Sequence, residues 1–205
     1  MKKIKYIIIL SILLSSFLFI TISSYANTVS QNISSNFFRL HILANSDNIK
    51  DQELKLKVRD NILEYMNTLT YSGLSKSEVI NLTYENLDTL QKIAENTIKN
   101  AGYSYPVSLE IGNFYFPTKE YGNISLPAGY YDGLKIKIGE AQGQNWWCSL
   151  FPPLCFVDIS SGLIDESSEN NLKDNLSTEE FAIITDDSEI IKFKFKLVEV
   201  FSNKQ

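Results

Sequence analysis

The first twenty-six residues decide which part of this chain can fold as a globule. Lys2, Lys3 and Lys5 form a basic start, and an apolar run from Ile7 to Ile22 is broken only by Ser11, Ser15, Ser16 and Thr21. Ser24-Tyr25-Ala26 then places small residues where an A-x-A cleavage site is read. The layout is that of a secretory signal peptide cut after Ala26. The apolar run is sixteen residues, against the roughly 20 that a spanning helix needs, and an uncut membrane anchor is the second reading. Either way the rest of the chain is delivered across a bilayer. No second run approaches spanning length.

Removing residues 1–26 takes away three lysines and no acid, so the net charge of -5 becomes -8. So acidic a globule has no electrostatic footprint for nucleic acid or anionic headgroups. Asn27 to Ser35 is polar and reads as a flexible lead-in, and 36–205 as a single domain. Cys148 and Cys155 are the only cysteines and both lie in the exported part, where a close, even pair reads as a disulfide. The alternative is two buried thiols acting as small hydrophobes. Two sulfur ligands with no nearby His or third Cys argue against a structural metal.

Phe38, Leu40, Ile42 and Ala44 alternate with Arg39 and His41, which is the period of a strand. Asn45 to Asn48 supplies turn chemistry with Asn48 as an N-cap, and Leu54, Val58, Ile62, Tyr65, Met66 and Leu69 share a helical stripe over 49–69. Its charged residues read as a solvated face. Ser75 and Glu78 fit a capping box, with Leu74 and Val79 as its staple, and a second helix runs to Gly102. Alternation predicts strands at 107–111 and 134–138, with a shaped loop from Pro117 to Gly133 between them. A short strand is expected near Cys155, a short helix capped by Ser177 to Glu180, and an alternating segment at Ile191 to Leu197, whose end also has a helical reading through Phe193, Leu197, Val200 and Phe201. The fold class is α+β: an antiparallel or mixed sheet of about four strands with two long helices on one face.

Catalytic furniture is sparse. His41 is the sole histidine, and no nucleophile elbow, zinc-binding H-E-x-x-H or phosphate loop occurs. Gly139-Glu-Ala-Gln-Gly143 reads as a tight turn, and the acidic pairs Asp165-Glu166, Glu179-Glu180 and Asp186-Asp187 as surface groups. The one enzyme hypothesis is an exported thiol-dependent hydrolase with Cys148 activated by His41. An envelope-binding structural protein is a further alternative. No cofactor and no small-molecule substrate is expected.

Five stretches carry a resemblance. They are Phe38-Arg-Leu-His-Ile-Leu-Ala-Asn-Ser-Asp47, Asp51-Gln-Glu-Leu-Lys-Leu-Lys-Val-Arg-Asp60, Leu126-Pro-Ala-Gly129, Leu134-Lys-Ile-Lys-Ile-Gly139 and Asn145-Trp-Trp-Cys-Ser-Leu-Phe-Pro-Pro-Leu-Cys-Phe-Val-Asp158. Together, in this order, they resemble the family of stage II sporulation protein R. Nothing from Ser160 onward takes part. The resemblance implies a signalling protein of endospore formation, not an enzyme. Its members are exported by the forespore into the space between the two sporulation membranes. There they trigger a membrane-embedded aspartic protease of the mother cell, which processes pro-sigma E. The resemblance carries over no catalytic residue. Partner-binding candidates are Trp146, Trp147 and Phe151, with Trp146 or Phe151 expected outside, and a polar patch of Arg39, His41, Asn45 and Asp47. Arg39 and His41 could equally be hydrogen-bonded to the first domain helix.

Overall fold

The structure is a computed structural model that describes residues 2–71, 73–155 and 166–185. Its elements run α1 (Lys2–Ser35), β1 (Phe38–Leu43), α2 (Ile49–Leu69), α3 (Lys76–Glu85), α4 (Leu87–Asn100), β2 (Val107–Phe116), β3 (Lys119–Tyr121), β4 (Ile124–Leu126), β5 (Gly129–Ile138), β6 (Asn145–Phe151), α5 (Glu166–Asn175) and α6 (Thr178–Thr185). The alternating segment 191–197 lies outside the described residues.

The main sheet has the order β2-β5-β1-β6 and is mixed: β1 runs parallel to β5 and antiparallel to β6, and β5 is antiparallel to β2. The α+β expectation of four strands with helices on one face describes it. Register follows the alternation, since Leu40 opposes Leu134 and Cys148, and Ile42 opposes Ile136. On that face Leu54, Val58, Ile62 and Met66 of α2 and Leu90, Ala94 and Ile98 of α4 are buried in the core shared with the sheet. Asn48 caps α2, and Ser75 with Glu78 completes the capping box of α3.

The long second helix divides at Asn86. The Asn86 side chain donates to the Leu82 carbonyl and accepts from the Tyr65 hydroxyl, so a polar group competes with the backbone at the junction of α3 and α4. The Pro117–Gly133 loop is mostly strand: β2 reaches Phe116, β5 begins at Gly129, and β3 and β4 form a hairpin of three-residue strands. Runs that short carry no readable period. The strand expected near Cys155 is β6, centred several residues earlier, and Cys155 lies beyond its end. Helix α5 has a polar sequence and no apolar stripe to announce it.

The lead-in is the largest difference. Residues 27–35 continue α1 as helix, with Ile33 wholly buried and Ser30 and Ser34 nearly so. Ser30 Oγ donates to the Ala128 carbonyl at 3.0 Å, and Lys76 Nζ to the Ser35 carbonyl at 2.8 Å. Val29 and Ile33, one helical turn apart, supply the apolar contacts that dock this otherwise polar helix end. Further back, Ile4 through Ile22 project their large apolar side chains outward. Among the described residues this is the one helix long and apolar enough to cross a membrane, a test that a signal sequence also passes. Ser11, Ser15 and Thr21 return their hydroxyls to carbonyls one turn earlier, which leaves few polar groups open toward lipid.

Docking of 27–35 has a measurable consequence. Replacing Ile33 with Ala in a chain beginning at residue 27 should cost about 3 kcal/mol in urea denaturation, whereas a loose leader would cost almost nothing.

Candidate functional site

Sheet alternation sends Arg39 and His41 of β1, Lys135 and Lys137 of β5 and Trp147 of β6 to the face opposite α2 and α4. The first domain helix bonds neither Arg39 nor His41. One end of this outer face is covered, and Arg39 sits there fully buried. Its guanidinium lies 4.3 Å from the Phe116 ring centre, 4.8 Å from that of Tyr131 and 5.9 Å from that of Tyr121. Nη2 donates to the Tyr121 hydroxyl at 2.6 Å, which itself donates to the Trp147 carbonyl. Among the described residues no carboxylate pairs with Arg39, so ring faces and one phenol replace part of its hydration. Gly133 makes room, because a Cβ there would stand 3.0 Å from the Arg39 carbonyl and 3.2 Å from the Phe116 ring.

His41 is next along β1. Its ring stacks on Trp147 with centres 3.6 Å apart, and Nε2 lies 2.8 Å from Asn145 Oδ1. Burial lowers its pKa to about 4; the Asn145 bond acts against this, and the charges of Lys135, Arg39 and Lys137 add to it. The imidazole is therefore a neutral, aromatic spacer at physiological pH. Beyond it the outer face is open, with Trp147 half-buried and Asn145 and Lys137 exposed.

The polar patch imagined at the end of strand one separates into parts. Asn45 and Asp47 act as structural clamps. Asn45 Nδ2 donates to Asp51 and its Oδ1 accepts from the Glu140 amide, while Asp47 accepts from the Gln144 amide at 2.7 Å. Gly139, at φ 58°, approaches Asn45 so closely that any Cβ would collide with it. The 139–143 turn is thus held by the turn before α2. Asp51 and Lys55, read as solvated, are buried at this junction. Ser46 and Asn45 donate to the Asp51 carboxylate and lower its pKa, while burial lowers that of Lys55, whose Nζ donates to the Gln144 carbonyl.

Adjacent residues on β6 point to opposite faces, as expected for Trp146 and Trp147. Trp146 opposes Ile42 on the helix side, half-buried beneath Arg59, whose guanidinium lies 4.1 Å from its ring centre. Phe151, expected outside, is 6% exposed and belongs to the core. A register shift opposite Phe38 and Arg39 turns it inward.

Cys148 and Cys155 form a disulfide. The ring folds back on the outer edge of β6, where the Leu154 amide donates to the Ser149 carbonyl at 3.0 Å. With the Tyr121 bond to Trp147, two carbonyls of an edge strand are capped, which removes a template for unwanted pairing. The same geometry dismantles the thiol-hydrolase arrangement. Cys148 opposes Leu40 and faces α2, His41 opposes Trp147 on the other side, and the sulfur is already bonded. Among the described residues no cluster of His, Cys, Asp and Glu suits a metal ion. Sequence reasoning missed Phe116, Tyr121 and Tyr131, whose aromatic character was visible but whose convergence on Arg39 depends on the unforeseen hairpin.

Two measurements check this geometry. His41 titrates at about 4 when folded and near 6.5 when unfolded, so between those values the unfolded chain binds a proton that the folded one refuses. Its contribution is complete above the upper value and is lost as pH falls toward the lower one. At about pH 5 the loss should be on the order of 2 kcal/mol by urea denaturation, and His41→Phe, which keeps the ring stack, should not show it. Replacing Cys148 and Cys155 together by Ser should lower stability by about 2.5 kcal/mol, the loop-closure value for so short a ring.

Comparison with known proteins now bears on this site. The profile of the family described as Stage II sporulation protein R matches residues 34–161. The Stage II sporulation protein R of Bacillus subtilis (strain 168) is 38% identical over 141 residues, a match covering 69% of this chain and 63% of that relative. The chain thus matches less than two thirds of the length of that relative. No solved structure matches. The matched residues begin at the last two of α1 and span the whole mixed sheet, Arg39 in its aromatic enclosure and the disulfide ring, and on this ground the chain belongs to the stage II sporulation protein R family, a family of sporulation proteins.

Proposed function

We propose that this protein is an exported signal of endospore formation that acts by contact. It leaves the forespore, reaches the space between the two sporulation membranes and activates the membrane-embedded aspartic protease that processes pro-sigma E in the mother cell. The observation that carries the reading is the family match over residues 34–161. Two physical features support it. The apolar N-terminal helix provides a route across a bilayer, and the disulfide suits an oxidising compartment.

Activation by contact requires that the protein bind one state of the protease more tightly than the other. A tenfold shift between the two states takes only about 1.4 kcal/mol of differential affinity. That is within the range of a few aromatic or charge contacts. The protein makes and breaks no bond in this scheme, and the separation of Cys148 from His41 across the sheet agrees with it.

The test is reconstitution in a bacterium that does not sporulate. The protease and its pro-sigma substrate are produced with this chain exported, and again with residues 1–26 deleted so that it stays in the cytosol. Immunoblots should show cleavage of the pro-sigma factor in the first strain and none in the second. Equal cleavage in both, or in a strain without the chain, would overturn the proposal.

A further inference from the structure

The outer face of the sheet is covered at one end by the β3–β4 hairpin and open at the other. The open end holds an arrangement that stability does not require. Lys135 and Lys137 are alternate residues of β5, so their side chains leave the same face roughly 7 Å apart. Lys135 opposes His41 across one strand boundary and Glu110 across the other, while Lys137 opposes Leu43 and Ser108. Glu110 is the one carboxylate paired with them in the register. Lys135 Nζ lies 3.6 Å from the Phe114 ring centre, and the stacked rings of His41 and Trp147 form the floor beside it. At the far side of Trp147, a recess of about 220 Å³ opens between the hairpin residues Lys119 and Tyr121 and β6.

The charge here is opposite to that of the whole. The chain without its first twenty-six residues carries -8, yet the charges acting on His41 are Lys135, Arg39 and Lys137, all positive. Burial lowers the proton affinity of Lys135, the charge of Lys137 adds to this, and Glu110 offsets only part of it. Two like charges on alternate residues of one strand face repel each other. A ligand carrying two carboxylates would relieve it.

We propose that this open face is a docking surface for an extended, acidic segment of the receptor protein, with carboxylates on alternate residues meeting Lys135 and Lys137 and an apolar side chain against Trp147. Alternate side chains of an extended chain repeat at the same spacing as the two lysines, which matches strand to strand. An anionic membrane surface is the poorer occupant. Recognition of lipid headgroups takes clusters of about four to eight basic residues, and here two stand on a globule of opposite net charge. This inference rests on the contact-signal reading for its receptor, and binding and processing are measured separately so that the two can fail separately.

The purified full chain is titrated onto nanodiscs containing the protease, empty nanodiscs, and vesicles of phosphatidylglycerol, at low and at physiological salt. Wild type should bind protease nanodiscs with an affinity that falls as salt rises. Lys135→Glu with Lys137→Glu should weaken binding about tenfold or more and flatten the salt dependence. The Gln pair should fall between. Lys92→Glu with Lys99→Glu, exposed on α4, should bind as wild type does. Circular dichroism and urea midpoints confirm folding of each variant, and the Gln pair remains decisive where the Glu pair is unstable. Undiminished binding by both patch variants, no binding by wild type, or lysine-dependent binding to phosphatidylglycerol alone would each overturn the proposal. Processing of the pro-sigma factor is read in the reconstituted strain. Lysine-dependent binding without processing would sustain this surface and defeat the activation reading, whereas processing by wild type and both patch variants alike would do the reverse.

Discussion

Arg39 is a buried cation that none of the described carboxylates answers, and the outer layer of the protein is arranged around it. A guanidinium removed from water is costly unless its donors and its charge are met. Here the charge is met by the faces of Phe116, Tyr131 and Tyr121, and one donor by the Tyr121 hydroxyl. Those rings come from β2, β5 and the β3–β4 hairpin, so the cation can be enclosed only when all three are in place. Lysine could not substitute, because a point charge neither stacks on several rings nor directs a planar donor at a phenol. The same phenol passes its own proton to the Trp147 carbonyl, which links the buried cation to the edge strand bearing the tryptophan. The aromatic floor next to Trp147 is thereby fixed in position by a group that never reaches solvent.

That arrangement also explains which parts of the structure were legible in the sequence. Alternation at Phe38 to Ala44, 107–111 and 134–138 correctly gave three strands and the sidedness of every residue in them, because one face of each is packed on helices. It gave nothing about the second face. An Arg or His at alternate positions reads as solvent-facing, and it stays so unless something covers it. The cover is a hairpin with strands of three residues, below the length at which a period can be recognised. The site candidates divide along the same line. Trp146 and Trp147 were placed on opposite faces by strand geometry alone, while Arg39 and Phe151 went inward for reasons of tertiary packing. Asn45 and Asp47 had the right chemistry for a turn, and their side chains are spent on it.

Capping signals were read well for a related reason. Asn48, Ser75 with Glu78, and Ser177 with Glu180 each satisfy amides within three residues of themselves, so the information needed to recognise them is local. The break at Asn86 escaped because the partner that fixes its side chain, Tyr65, lies on another helix. Local order was legible, and order that depends on a distant group was not.

The boundary between the apolar helix and the domain follows from the same accounting of buried groups. Along α1 the large apolar side chains through Ile22 face outward, and the first wholly buried side chain is Ile33. The cleavage position expected from the sequence, after Ala26, falls between the two. Among the described residues the buried side chains of α1, Ser30, Ile33 and Ser34, all lie on the domain side of that position, and the hydrogen bond of Tyr25 to Glu179 at 3.3 Å, before it, is exposed. A chain cut after Ala26 keeps Ile33 and Ser30 docked against the start of β5, and an uncut chain holds the same contacts while its first residues lie in a bilayer. Because 27–35 is helix and not a loose linker, the domain of an uncut chain would stand at a set distance from the membrane, about 1.5 Å further for each helical residue. The outer face of the sheet, with its lysines and its tryptophan, is the same surface in both cases, so release and tethering change where the domain is presented and leave its form alone.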